Sequence, residues 1–276
     1  MSRAELNGKA QRLGQLVLSL GRVAVAYSGG VDSALLLAFC LDRLGTENVM
    51  ALTVTSLMMP GVERERVAEL AERLGARHRT VGLDLLDAPD VAANHPDRCY
   101  HCKRLMMTRL LTVARAEGLD VLLRGANADD RRDHRPGMQA AEELGVRAPL
   151  LEIGFTKADI RRLSREMGLP TWDLPSMACL ASRIPYGTPL TAESLKRVDA
   201  AESALRRGFA LRQLRVRDHF PVARIEVPES EIDRLAETGV RERVVQALQA
   251  LGYRFVTLDL EGFRSGSLNE TLSEQG

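Results

Sequence analysis

The sequence predicts an α/β protein, a parallel doubly wound sheet joined to a smaller α+β C-terminal domain. Three observations carry the prediction. Short apolar runs alternate with helix-length amphipathic stretches along the first part of the chain, the order of βαβ units. The first of these runs leads through a Ser-Gly-Gly turn at 28–30 straight into a helical pattern. After Gly187 the order becomes helix, two adjacent strands, two helical stretches and a strand, which suits a separate domain with an antiparallel component.

In chain order, RVAVAYS (22–28) is a short apolar strand, and VDSALLLAFCLDRLG (31–45) follows the glycine turn as a helix. NVMALTVTS (48–56) is β-rich. GVERERVAELAERLG (61–75) has apolar residues at helical spacing and ends on a glycine suited to the position after a helix. HRTVGLDLL (78–86) reads as a third strand, CKRLMMTRLLTVARAEG (102–118) as a helix and DVLLRGAN (120–127) as a fourth strand. TKADIRRLSREMGLP (156–170) opens on a Thr cap with Asp at the third helical position and stops at Gly-Leu-Pro. Beyond the junction, TAESLKRVDAAESALRRG (191–208) is helical, and LRQLRVRDHF and PVARIEVP are adjacent strands. EIDRLAETG and RERVVQALQALG are helical, and YRFVTLDLEG closes the domain as a strand. The expected division is 1–172, a junction loop 173–190 that carries Cys179, and 191–276. Clefts at such junctions commonly hold ligands.

A chain of 276 residues, 45% hydrophobic and 27% charged, has enough apolar material for full cores. Its net charge of +1 argues against broad binding to nucleic acid or anionic membrane. No apolar run approaches the roughly 20 residues needed to cross a bilayer, and the first 30 residues lack a signal-peptide core. A cytoplasmic location follows as the expectation, with no nucleic-acid or membrane partner. In that compartment the four cysteines stay reduced. Cys40, inside an apolar helix, reads as a small hydrophobe, which leaves Cys99, Cys102 and Cys179.

The strongest signal is AYSGGVDSALLL (26–37). Gly29 and Gly30 let backbone N–H groups approach a phosphate chain, and the following helix N-terminus favours negative charge. Ser28 and Ser33 offer hydroxyls, and Asp32 is placed to hold Mg2+ or cap the helix. No Lys follows the glycines, so this is not a Walker A loop, and the spacing is not that of dinucleotide folds.

SGGVDS resembles the pyrophosphate loop of the ATP pyrophosphatases, which activate a substrate by adenylation. GANADDRRDHRPG (125–137), PSMACLASRIPYGTPLT (175–191), RVRDHFPVARIEV (215–227) and LDLEGFRSGSLN (258–269) narrow the resemblance to the LarE family of ATP-dependent sulfur transferases, over almost the whole chain. The resemblance implies an adenine nucleotide alpha hydrolase-like fold, ATP and Mg2+ as cofactors, and a small-molecule substrate, pyridinium-3,5-biscarboxylic acid mononucleotide. Each carboxylate would become an acyl-adenylate and then a thiocarboxylate, on the way to the nickel-pincer nucleotide cofactor of lactate racemase. A homo-oligomer is expected.

Cys179 lies in a loop of small residues, and in one branch of the family the matching cysteine gives up its own sulfur. DRCYHCK (97–103) adds Cys99 and Cys102 in C-x-x-C spacing. Zinc, with His101 or His134 as a fourth ligand, remains open; a redox dithiol lacks its thioredoxin-like context. The resemblance favours a third arrangement, a 4Fe-4S cluster on Cys99, Cys102 and Cys179 whose remaining iron binds hydrosulfide.

Gly125, Asn127 and Asp130 follow the fourth strand, where ligands collect in parallel sheets, though Asx-turns would explain the same residues. Arg183 could hold a substrate carboxylate or phosphate bidentately, with Ser182 facing the activated substrate; the alternative is a surface arginine. Arg215 and Arg217 alternate on one strand and share a face, either an anion site for the mononucleotide phosphate or a solvated face. The resemblance implies that Glu202 and Glu226 match acidic positions at which the family holds a divalent ion, although Glu202 has the look of a helix-surface charge. A tRNA thiolation enzyme and a zinc-stabilised nucleotide sensor are the competing functions.

Overall fold

The computed structural model describes residues 2–132, 136–175, 178–264 and 268. In chain order the elements are α1 (Arg3–Leu20), β1 (Val23–Ala26), α2 (Val31–Leu44), β2 (Val49–Thr55), α3 (Gly61–Arg73), β3 (Arg77–Gly82), α4 (Pro89–Ala92), α5 (Arg98–Ala116), β4 (Val121–Arg124), α6 (Pro136–Glu143), α7 (Pro149–Ile153), α8 (Lys157–Glu166), α9 (Ala192–Phe209), β5 (Arg215–His219), β6 (Val222–Glu226), α10 (Glu229–Ala236), α11 (Thr238–Gln249) and β7 (Phe255–Leu258). They fall into two compact units. The first comprises Met1–Ser56, Glu63–Leu83 and Cys99–Met177, the second Leu57–Val62, Asp84–Arg98 and Ala178–Gly276.

The first unit is built on a parallel sheet in the order β3-β2-β1-β4, as the alternating pattern predicts. An isolated parallel bridge from Leu123 to Arg147 continues it past β4. Strand residues alternate between faces. Ala24, Met50, Leu52 and Leu122 pack with Met107, Leu110 and Ala114 of α5 on one face, and α2 lies against β1 and β2. Near-continuous burial of β1 and β2 is what a parallel strand covered on both sides requires. The strand order reverses between β1 and β4, so the loops leaving their carboxyl ends flank the crevice where ligands bind in open sheets.

Two helices carry strong local signals. Thr156 caps α8 through a reciprocal capping box with Asp159, as its sequence predicts. The α1 helix is absent from the sequence reading, yet Ser2 and Glu5 form the same box, and Leu6, Leu13 and Val17 make its buried stripe. The α5 helix begins at Arg98 rather than Cys102, which brings Cys99 and Cys102 onto its first turn, one above the other.

The second unit holds a three-stranded sheet, β5-β6 antiparallel and β6-β7 parallel, the mixed α+β arrangement expected. Its core joins Leu205 and Phe209 of α9 with Val216, Ile225, Leu235 and Leu248. Two segments from the first half of the chain, 57–62 and 84–98, pack here, which a division in chain order does not anticipate.

Candidate nucleotide loop and cysteine loop

In the first unit the turn after β1 is shaped for a phosphate chain. Gly29 has φ +74°, and a Cβ there would lie 2.7 Å from Cγ2 of Val67, so the position tolerates only glycine. Gly30 precedes α2 with no side chain capping it, unlike the N-termini of α1, α8 and α9. Its first N–H groups therefore point outward for an anion. The Ser33 hydroxyl donates to the Gly30 carbonyl at 3.1 Å and accepts from the Ser28 backbone N–H at 3.2 Å. That bracing leaves the exposed Ser28 side chain at the mouth of the turn.

Gly125 leaves β4 so close to α2 that a Cβ would stand 2.6 Å from the Ser33 nitrogen. Asn127 is 1% exposed; its Oδ1 accepts from Asp129 N–H and its own N–H donates to Asp130 Oδ2, both at 3.0 Å. The Asx-turn reading is thus correct for its carbonyl, while its Nδ2 is buried without a partner. Asp32 pairs with Lys157 through one oxygen, and its other oxygen is buried and unpartnered. Burial pushes the Asp32 carboxyl above its usual range; the Lys157 charge opposes the shift and Asp130 adds to it. Lys157 stands at the start of α8, 125 residues from Asp32, and sequence reasoning missed it because nothing local marks the pairing.

In the second unit Cys179 is exposed and opens a single 3-10 turn, Leu180–Arg183. Its carbonyl accepts from the Ser182 hydroxyl at 2.8 Å and from Arg183 Nη1 at 3.2 Å. Arg183 also reaches the Ala178 carbonyl at 2.8 Å, and Arg217 donates to the Ser182 carbonyl at 2.6 Å. Arg98, the residue before Cys99, donates to the Ala181 carbonyl at 3.2 Å and to Asn94 Oδ1. Buried guanidinium groups thus grip the Cys179 turn by its backbone.

These contacts correct two expectations and give a third residue its partners. Arg183 is no surface arginine: it is 2% exposed and its fork closes on Glu202 at 2.7 and 3.1 Å. Glu202 is no helix-surface charge; it is 3% exposed and also accepts from Arg206 and from the Val216 N–H. Glu226 is held bidentately by Arg217 at 2.8 and 2.7 Å, and Arg224 adds a third contact. Desolvation explains all three, since a buried charge must be paired. Arg215 differs. Its guanidinium stacks 4.6 Å from the Phe263 ring, and burial, with the like charges of Arg183 and Arg217, lowers its pKa to about 10.

Cys99 and Cys102 are half-buried in the first unit, and none of the described cysteines is in a disulfide. Cys40 is buried and its thiol is pushed up to about 12 by burial, an inert core group as expected. His134 lies outside the described residues, as do parts of the motifs at 125–137, 175–191 and 258–269. Among the described residues no three His, Cys, Asp or Glu side chains are gathered to hold a metal. Nor is any described helix long and apolar enough to cross a membrane.

A family model described as Asparagine synthase matches residues 15–157, just over half of the chain. The pyridinium-3,5-bisthiocarboxylic acid mononucleotide synthase of Lactiplantibacillus plantarum is 41% identical over 271 residues, covering 98% of this chain and 97% of that protein. An uncharacterized protein of Synechocystis sp. is also 41% identical, over 98% of this chain and its own full length. The argininosuccinate synthase of Haloarcula marismortui is 26% identical over 54% of this chain and 38% of its own, a likeness confined to part of each.

Proposed function

The chain belongs to the LarE family of ATP-dependent sulfur transferases, within the pyrophosphate-loop superfamily, and from that premise we propose that it converts the carboxylates of pyridinium-3,5-biscarboxylic acid mononucleotide to thiocarboxylates. One observation carries the substrate: the 41% identity to the L. plantarum synthase runs the length of both chains.

In this reading a substrate carboxylate oxygen attacks the α-phosphorus of ATP and pyrophosphate leaves. Sulfur then attacks the carbonyl carbon, and AMP departs with the former carboxylate oxygen. A free carboxylate is a poor electrophile, so the adenylation step is what makes the exchange possible. Ser28, Gly29, Gly30, Ser33 and the open N-terminus of α2 hold the phosphates. The bare Asp32 oxygen fits a divalent cation, whose hard charge neutralises pyrophosphate as it leaves. Gly125, Asn127 and Asp130 line the nucleotide side of the crevice. Arg215, on whose guanidinium no carboxylate sits among the described residues, is the residue best suited to the mononucleotide phosphate, while Arg217 and Arg183 set the backbone of the Cys179 turn. Ser182 stands beside the reacting carbonyl.

For sulfur, the reading keeps a 4Fe-4S cluster on Cys99, Cys102 and Cys179. Three thiolates are a donor set that suits iron–sulfur ligation. Two facts support it: Cys99 and Cys102 lie three residues apart at the start of α5, and Arg98, the residue before Cys99, donates to the carbonyl of Ala181. When bound, such a cluster supplies one iron without a protein thiolate, at which hydrosulfide can be held. The exposed Cys179 favours a second reading, in which its own sulfur is transferred and dehydroalanine remains. The proposal also puts the enzyme in the cytoplasm, where three thiols stay reduced, and has it act as a homo-oligomer, which the exposed Phe220, Phe255 and Leu260 support.

The test is pyrophosphate release that depends on the biscarboxylate, with mass detection of the thiocarboxylate product. Release that requires tRNA instead would move the chain to the tRNA thiolation enzymes. Protein purified without oxygen should carry iron and sulfide and make many products per chain. Cys99→Ala should abolish multiple turnover while leaving pyrophosphate release intact. A mutant that still turns over repeatedly removes the cluster from the proposal, and one product per chain with dehydroalanine at 179 selects the sacrificial route.

A further inference from the structure

The nucleotide loop has no lysine of its own between residues 26 and 37, yet a lysine reaches it from elsewhere in the first unit. The α8 helix packs on α2 and delivers Lys157 to Asp32. The base of this lysine is fixed. Its backbone N–H donates to Asp129 Oδ2 at 2.7 Å, and the Thr156–Asp159 capping box holds the turn around it. Its far end is free to swing, because the ammonium rides on a flexible four-carbon stem and the side chain is 36% exposed.

Asp32 is therefore asked to serve two cations. An ammonium on one Asp32 oxygen draws on the same carboxylate charge that a divalent ion on the other oxygen needs, and the two cations repel each other. We propose that Lys157 is a built-in counter-cation of the nucleotide loop: it neutralises Asp32 while the loop is empty, and it passes to an ATP phosphate when a divalent cation takes the carboxylate. The inference rests on the reading that this loop binds ATP, and it names a phosphate-binding residue and an exchange which that reading does not contain. Two buried polar atoms mark the space into which the exchange would run, the unpartnered Oδ1 of Asp32 and the unpartnered Nδ2 of Asn127. Burial penalises an unpaired Asp32 carboxylate, so the lysine has a reason to stay until another cation arrives.

The experiment titrates ATP into the wild type and into Lys157→Ala, Lys157→Arg and Asp32→Asn, first in EDTA and then with Mg2+, with thermal unfolding as the check on folding. A single charge-assisted contact is worth roughly ten- to a hundredfold in affinity, so Lys157→Ala should weaken metal-free ATP binding by about that factor and Lys157→Arg by much less. Asp32→Asn should move the other way, binding metal-free ATP more tightly than the wild type because the lysine is released. With ATP saturating, the Mg2+ concentration at half-effect should fall in Lys157→Ala, since the competitor is gone. Metal-free affinity unchanged in Lys157→Ala, or weakened in Asp32→Asn, overturns the exchange while leaving the nucleotide reading intact. No ATP binding by the wild type with or without Mg2+ overturns both.

Discussion

Replacing Glu202 by alanine should lower the unfolding free energy by about 3–5 kcal/mol, the usual cost of removing one partner from a buried ion pair. Glu202 accepts from Arg183, Arg206 and the Val216 N–H at 2.7–3.2 Å, and it is the carboxylate that balances Arg183 beside Arg215 and Arg217. Without it the guanidinium of Arg183 is buried and uncompensated. The turn that Arg183 grips through the carbonyls of Ala178 and Cys179 then loosens, so sulfur transfer should fall more than ATP binding does. Urea unfolding measures the first effect, and separate assays of ATP binding and product formation measure the second. Adding Arg183→Met to the alanine variant should restore part of the stability, because an apolar pair of similar volume often replaces a buried ion pair at little cost. A single-variant loss below about 1 kcal/mol would show the pair to be no more than a surface contact in effect.

Gly125→Ala should reduce ATP-dependent pyrophosphate release by about a hundredfold, the scale on which displacements near 1 Å act in active sites. The new Cβ would meet Ser33 N at 2.6 Å, Asp32 C at 2.8 Å and Ser33 Cα at 2.9 Å, all backbone atoms that cannot rotate away. The clash pushes the first turn of α2, which carries Asp32 and the open N–H groups. Gly8→Ala is the control, since nothing lies within 4 Å of a Cβ there and alanine suits the interior of α1. If Gly125→Ala keeps wild-type activity, β4 and α2 are not held as closely as the structure shows.

Much of the fold was legible in residue order. The glycine turn between β1 and α2, the strand–helix alternation and the Thr156 cap of α8 are local patterns, set by backbone freedom and side-chain periodicity within a few residues. α1 was missed although its Ser2–Glu5 box is of the same kind, because its buried stripe is narrow and sparse, with Leu6 and Leu13 seven residues apart. The early start of α5 was missed for a related reason: DRCYHCK reads as a motif, and its helical character shows only when Arg98 finds its partners at Asn94 and Ala181.

The sequence by itself determined the class of fold, the nucleotide loop, the candidate cysteines and the family. Only the tertiary structure decided what the charged residues do. Arg183 and Glu202 are 19 residues apart, Asp32 and Lys157 are 125 apart, and an arginine written on a strand reads the same whether it meets water, a phosphate or a buried carboxylate. A charge takes its role from its desolvation and from the partner that offsets it. Both are properties of the packed chain rather than of its neighbours in sequence.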